Sequence, residues 1–459
     1  MKKKESNLSR RDLLKSAAVA GAGMSLAGIF PDHAKGNAIE FLTEPPANNK
    51  TMIGVPFEKR DKVRIAIVGT GLRGRSVLGE LLAVENVEIT ALCDNVKEKC
   101  QKAVDMVTKA GKPAPAMYTN GDTDFENLCK REDIDFVYTA TPWEWHVPVM
   151  LSAMNNGHHC GTEVPAAYTL EECWKLVETS EKNRRHCMIM ENCCYDYSET
   201  IVLNMVREGL LGELIHGECA YNHDLRGILF EKKDEGLWRR RHHTLRDANL
   251  YTTHGLGPVA NYMNINRGER LETMVAMSSV HLGLEAFRKE NLAADDPRQK
   301  EVYKTGDYHT ALIKTASGRT IMLQHNVSTP RPYDRINLIQ GTKGIFRDYP
   351  PRIFVDGQKG GHRWATLDEY KQKFEHRLWR IAGEVARKLG GHGGMDYIMC
   401  YRLVECFREG LPPDMDVYDA ATWSVPGPLS EISVKRGSAP VRFPDFTRGK
   451  WKAARPTVI

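Results

Sequence analysis

Val63-Arg64-Ile65-Ala66-Ile67-Val68-Gly69-Thr70-Gly71-Leu72-Arg73-Gly74 reads as a short buried strand that runs through a glycine turn into a helix. Each glycine has its own task in such a turn. Gly69 permits the reversal, Gly71 lets backbone amides approach a pyrophosphate, and Gly74 lets the helix lie close on the strand. The phosphates then sit at a helix N-terminus, where unpaired N–H groups and the helix dipole favour anions. Asp94 ends the next apolar run, Val87 to Cys93, about 20 residues after Gly74, where an acceptor for ribose hydroxyls belongs. Strand, turn, helix and acid together make a dinucleotide-binding fingerprint. An acid at Asp94 repels a 2′-phosphate and so favours NAD over NADP, whereas Arg73 and Arg75 would suit the phosphorylated form.

The same alternation continues outward. Helices are expected through Val77 to Leu82, from Lys97 to Ala110, from Asp124, over His146 to Asn156 and over Leu170 to Asn183. Strands fall at Ile134 to Thr139, His158 to Thr162 and Cys187 to Met190. This succession predicts an α/β protein whose N-terminal Rossmann domain is a doubly wound parallel sheet. Past Tyr197 the texture changes. A helix over Val202 to Glu208 leads into long strands at Gly212 to Tyr221, Arg270 to Val280, Tyr308 to Thr315, Thr320 to Val327 and Arg335 to Gly341. That half is expected to be a C-terminal α+β domain with an open, largely antiparallel sheet covered on one face by helices. Further helical patterns span Leu367 to Lys388 and Met395 to Gly410. The domain reading is a leader over 1–34, an arm over 35–60, the Rossmann domain over 61–192, the second domain over 193–446 and a tail over 447–459.

Ahead of the fingerprint stands Ser9-Arg10-Arg11-Asp12-Leu13-Leu14-Lys15, followed by a modest apolar stretch, Ala17 to Phe30. This is the order of a twin-arginine signal, which implies the twin-arginine export machinery as a partner and the periplasm or cell surface of a bacterium as the destination. That route moves folded proteins, so a cofactor can be loaded before export. An enzyme that consumed one nicotinamide per turnover would stall outside the cell; one that regenerates its own bound cofactor would not. The formal charge of +5 over 459 residues is misleading, because the first 34 carry six basic and three acidic side chains and leave only +2 for the rest. This gives no electrostatic case for nucleic acid. Eleven cysteines without framework spacing argue against a disulfide scaffold, and no Cys-x-x-Cys or His-Glu-x-x-His run suggests a metal site.

Gly69-Thr70-Gly71-Leu72-Arg73-Gly74, Asp94, Thr141-Pro142 with His146, and Gly161-Thr162-Glu163-Val164-Pro165 follow one another as in the glucose-fructose oxidoreductase and inositol dehydrogenase family, which the chain resembles. In that family the last motif usually reads Glu-Lys-Pro, and its lysine takes part in sugar oxidation; here Val164 stands in its place. That departure, the twin-arginine leader, Tyr251-Thr252-Thr253-His254-Gly255 and His392-Gly393-Gly394-Met395-Asp396 resemble one branch, the NAD-dependent glycoside hydrolases of family 109, which are α-N-acetylgalactosaminidases. The resemblance covers about Val63 to Phe446. It implies that bound NAD oxidises the sugar's 3-hydroxyl, that the acidified C2 hydrogen is removed, and that the aglycone leaves from C1. Water then adds to the enone and the ketone is reduced again. The usual glycosidase instead flanks an oxocarbenium-like centre with two carboxylates.

The cofactor-binding set is then Gly69, Gly71, Leu72, Arg73, Gly74, Asp94, Thr141, Trp143, His146, Glu163, Val164 and Asn192; Glu163 and Asn192 end strands, where open parallel sheets hold ligands. His254 is the first choice for acid–base work, because imidazole titrates near neutrality. Tyr251 lies three residues earlier and shares a face with it if the segment is helical. Gly255, Gly257 and Pro258 are expected to leave room for a substrate beside that face. Tyr221, Tyr333 and Arg239 are candidate substrate contacts together with Tyr251 and His254, aromatic faces and phenol hydroxyls being suited to carbohydrate. The implied substrate is a glycan with terminal N-acetylgalactosamine, and assembly into a homo-oligomer is an open alternative. Two rival readings use the same residues: an exported sugar oxidoreductase with net hydride transfer, and an inactive cofactor-stabilised binding protein.

Overall fold

In the computed structural model, which describes residues 50–358, 361–455 and 459, the run Val63–Val68 is strand β1, buried at every position except the half-buried Arg64. The leader, residues 35–49 of the arm and residues 456–458 of the tail lie outside the described residues. From β1 the chain winds as α1 (Leu72–Leu82), β2 (Val87–Cys93), α2 (Lys97–Lys109), β3 (Ala116–Tyr118), β4 (Phe136–Thr139), α3 (Trp143–Asn155), β5 (His159–Thr162), α4 (Leu170–Asn183) and β6 (Cys187–Ile189). All six strands pair in parallel in the order β3-β2-β1-β4-β5-β6. The order reverses between β1 and β4, so a crevice opens at the carboxyl ends of these two strands. Strand β3 has no counterpart in the sequence reading: three half-buried edge residues are too few to show a period.

The second half follows as α5 (Tyr197–Arg207), β7 (Leu214–Asn222), α6 (Arg239–Leu245), α7 (Thr253–Tyr262) and β8 (Leu271–Ser278), then β9 (His309–Thr315), β10 (Thr320–Asn326) and β11 (Leu338–Gly341). Short strands β12 (Gly344–Arg347), β13 (Arg352–Val355) and β14 (Ala365–Thr366) extend one edge, and β15 (Val441–Arg442) closes the other. The nine strands form one sheet, order β14-β13-β12-β11-β7-β10-β9-β8-β15, antiparallel apart from the β7–β10 pair. The expected fold class is therefore the observed one. Helix α7 lies directly on β7: a Cβ on Gly217 would stand 2.7 Å from Val259 and one on Gly255 2.5 Å from the Ala220 nitrogen.

The helical pattern from Leu367 to Lys388 is broken in two. Asp368–Phe374 ends, and α8 (Arg377–Leu389) starts afresh with the His376 ring accepting from the Leu378 amide. Helices α9 (Met395–Glu409), α10 (Val417–Ser424) and α11 (Pro426–Lys435) complete the chain. Helix α9 returns to pack on α1, and α10 packs on α4 and β6, so C-terminal sequence covers the N-terminal sheet. The described end of the arm also packs: Met52 and Phe57 are buried, and Phe57 stacks on Phe407 of α9 at 4.0 Å. All eleven cysteines are buried and unpaired. Among the described residues no helix is long and apolar enough to cross a membrane.

Candidate active site

A cleft of about 590 Å³ opens at the switch point, and both halves of the chain line it. On the Rossmann side the glycine turn has the expected form. Gly69 takes φ +87°, where a Cβ would also strike Ala140, and Gly74 sits so close to the Gly69 carbonyl that a Cβ there would overlap it. A Cβ on Gly71, by contrast, would meet nothing, so its backbone faces open cleft at the N-terminus of α1. This is the cradle a pyrophosphate needs. Asp94 closes the turn by accepting from the Thr70 amide at 2.8 Å and from the Val96 amide at 2.8 Å. Leu72, Thr141 and the buried Val164 line the same wall.

Several of the residues expected to bind the cofactor are held by hydrogen bonds within the protein. Arg73 donates to Glu163 (2.8 Å) and to Asp396 of α9 (2.6 Å). Glu163 also accepts from the Tyr138 hydroxyl at 2.6 Å, and Asn192 donates to Asp396 at 2.7 Å. Burial works to raise the Asp396 carboxyl, but Arg73 and then His392 hold it well below the usual carboxylate range. His146 sits between the carbonyls of Pro165 (2.8 Å) and Thr141 (2.9 Å), tying two turns together, and burial pushes its imidazole down. Arg73 is engaged by carboxylates and Arg75 donates to the Thr70 carbonyl.

Across the cleft stands an aromatic cluster. Tyr221, at the end of β7, has its ring 4.4 Å from that of Tyr251 and 5.4 Å from that of His254. Arg239, a candidate substrate contact, is buried at the start of α6, bonded to Glu235 at 2.6 Å and stacked 4.9 Å over Tyr251. Trp143 completes that wall, 5.3 Å from the Arg239 guanidinium. Tyr333 stands one layer back: its ring is 4.9 Å from the His223 ring, which does line the cleft, and its hydroxyl accepts from Arg335 at 3.0 Å.

Tyr251 and His254 meet, though not by sharing a helix face. Helix α7 begins only at Thr253, and the two side chains converge across its start with hydroxyl and Nε2 3.4 Å apart. The space expected beside Gly255 and Gly257 is taken up by the protein. Gly255 abuts the Ala220 backbone, and a Cβ on Gly257 would lie 3.1 Å from Cys194 and from Glu191. These glycines let α7 wedge between β7 and the turn after β6, which presses His254 onto Glu191.

Glu191, which the sequence reading does not single out, is the partner of His254. It is fully buried, and its Oε1 accepts from His254 Nδ1 at 2.6 Å. Burial alone would raise its carboxyl, yet His254 and the Cys193 amide leave it lowered, so it is ionised. The signal was its place at the carboxyl end of the last parallel strand, one residue before Asn192. Burial, then Tyr221, push the Tyr251 phenol well up, so it keeps its proton. Cys193 Sγ lies within 4.8 Å of the Glu191 and His254 donor atoms and forms with them a sulfur, nitrogen and oxygen set.

Fold and cleft together define a dinucleotide-binding protein of the oxidoreductase type, and residues 63–191 match the family model of the oxidoreductase family, NAD-binding Rossmann fold. Residues 195–453 match the C-terminal domain of glycosyl hydrolase 109, and the chain belongs to glycosyl hydrolase family 109. Membership makes it a glycosidase by class. Residues 7–27 match the twin-arginine translocation signal, and the chain is exported by that route. A glycosyl hydrolase family 109 protein of Solibacter usitatus is 56% identical over 98% of this chain and 99% of its own length. An alpha-N-acetylgalactosaminidase of Shewanella oneidensis is 45% identical over 99% of each chain. A levoglucosan dehydrogenase solved with NADH and levoglucosan shares the fold, with a TM-score of 0.62 at 16% identity over 83% of this chain and all of that one.

Proposed function

We propose that this protein removes terminal α-linked N-acetylgalactosamine by a cycle of oxidation, elimination, hydration and reduction with no net redox change. The observation that carries the reading is the Glu191–His254–Tyr251 relay opening onto the cleft that holds the glycine turn. Held at the glycine turn, NAD would supply reversible hydride acceptance at C3 of the sugar. The open face of Gly71 and the close contacts of Gly69 and Gly74 fit it.

The chain's own residues do the rest. With Nδ1–H given to Glu191, His254 presents Nε2 to the cleft as the atom that takes the C2 proton, exchanges it with solvent and delivers a solvent-derived proton to C2. Tyr251 stays protonated beside it and hydrogen-bonds the sugar oxygen whose charge changes. Arg239, Tyr221 and His223 present donors and ring faces to the acetamido group and hydroxyls. Val164 puts no amine beside the reacting carbon, which leaves proton transfer to the histidine. The name of the Shewanella oneidensis relative supports the sugar specificity. The cofactor is held tightly, since an exported enzyme has no pool to draw on.

The test is hydrolysis of an N-acetylgalactosaminide in heavy water with no nicotinamide added. Release of sugar carrying deuterium at C2 is the expected result. Ordinary hydrogen at C2 rejects elimination, and turnover only with added NAD marks an oxidoreductase instead.

A further inference from the structure

The segment Gly390-Gly391-His392-Gly393-Gly394 lies between α8 and α9 of the second domain, yet it reaches the Rossmann turn. Four of its five residues take positive φ, including His392 at 45°. Gly391 passes so close to the Glu80 carboxyl of α1 that any Cβ would overlap it, and a Cβ on Gly394 would stand 2.9 Å from the Ala386 backbone. The segment is thus wedged, not loose. It sets the exposed His392 ring on the rim of the cleft shared with Gly71 and Arg73. His392 Nδ1 donates to the buried Asp396 at 2.7 Å, the same carboxylate that holds Arg73.

The charges identify what the other ring nitrogen is for. Arg73 faces two carboxylates, Glu163 and Asp396, so one guanidinium is shared between two negative charges. Burial and then Asp396 push the nearby Glu80 up to about 7, which limits any third negative charge there. His392, with Nδ1 held on Asp396, lines the same cleft as Gly71 at the N-terminus of α1. A ring nitrogen placed beside the amides of a helix N-terminus stands where a diphosphate would be held.

The geometry points to His392 as a cofactor-binding residue: anchored by Asp396, it donates to the dinucleotide diphosphate and slows its release. This rests on the reading that the cleft holds NAD. It gives that reading a retention device, because the contact comes from the second domain and must break before the cofactor leaves.

The test measures NADH release by its fluorescence after a chase with excess NAD, using wild type, His392→Asn and His392→Gly. Both replacements suit left-handed backbone, so folding is preserved, and melting of the cofactor-free protein checks it. Release about tenfold faster in both variants is expected, as loss of one charge-assisted contact implies. The acceleration of release by added salt should also shrink in the variants, which a purely structural role of the loop would not cause. Wild-type release with unchanged salt response overturns this proposal alone. A protein that holds no dinucleotide at all overturns the cofactor reading together with it.

Discussion

Glu191 holds His254 Nδ1 at 2.6 Å, and the tautomer this enforces leaves Nε2 as the working nitrogen. Glu191→Gln removes the charge but keeps the shape, so the imidazole loses both its orientation and its counter-charge. Turnover should fall about 100-fold or more, in the range expected for misdirected acid–base groups, with bound NAD unchanged. A rate within twofold of wild type, measured on a chromogenic glycoside, would dismiss the role of Glu191. His254→Ala should likewise keep its cofactor and lose hydrolysis. Asp94→Ala should do the opposite. It removes the carboxylate that accepts from Thr70 and Val96 at the ribose end of the cleft, so the purified protein should show a depleted 260 nm absorbance. Undiminished dinucleotide content in that variant would count against Asp94. At this scale the glycine turn, Asp94 and His254 were legible in the sequence because motif spacing is local. Glu191 was not, since its partner lies 63 residues away.

Helix α7 shows how an element, and not a motif, brings His254 to the cleft. Gly255 costs helix propensity, about 1 kcal/mol relative to alanine, but it allows backbone contact with β7. Gly255→Ala therefore gains that propensity and loses more, because the new methyl group would stand 2.5 Å from the Ala220 nitrogen and neither backbone can yield. The expected outcome is a lower melting temperature together with reduced turnover, as α7 lifts His254 away from Glu191. An equal or higher melting temperature would mean that the wedge is not tight. Elements with a clear period were legible, β1, β2 and α4 to the residue. Strands β3 and β12 to β14 are too short to carry a period. The break at His376 depends on a cap that hydrophobic spacing does not reveal.

For the whole molecule, buried neutral histidines set the acid side of stability. Burial holds His186 and His243 down to about 3 and His376 to about 4. The unfolded chain therefore binds protons that the folded one refuses. Their stabilisation is complete above the ordinary histidine value of about 6.5 and is lost as pH falls below it. Glu80, raised to about 7, acts in the opposite sense, costing stability as pH rises from about 4.5. Melting temperature should decline from pH 6.5 toward 4, and Glu80→Gln should gain more at pH 8 than at pH 5. A flat profile would show that these histidines are hydrated after all.

The amino-acid sequence by itself determined the doubly wound cofactor domain, the antiparallel second sheet, the export signal and the family, because alternation, glycine turns and signal order are properties of neighbouring residues. Only the tertiary structure decided that Glu191 orients His254, that Gly255 and Gly257 serve packing in place of substrate, and that Asp396 reaches Arg73 across 323 residues. Those pairings arise where α7 and α9 of the second domain come back onto the first. Contacts of that kind are set by how faces pack, and no run of adjacent residues encodes them.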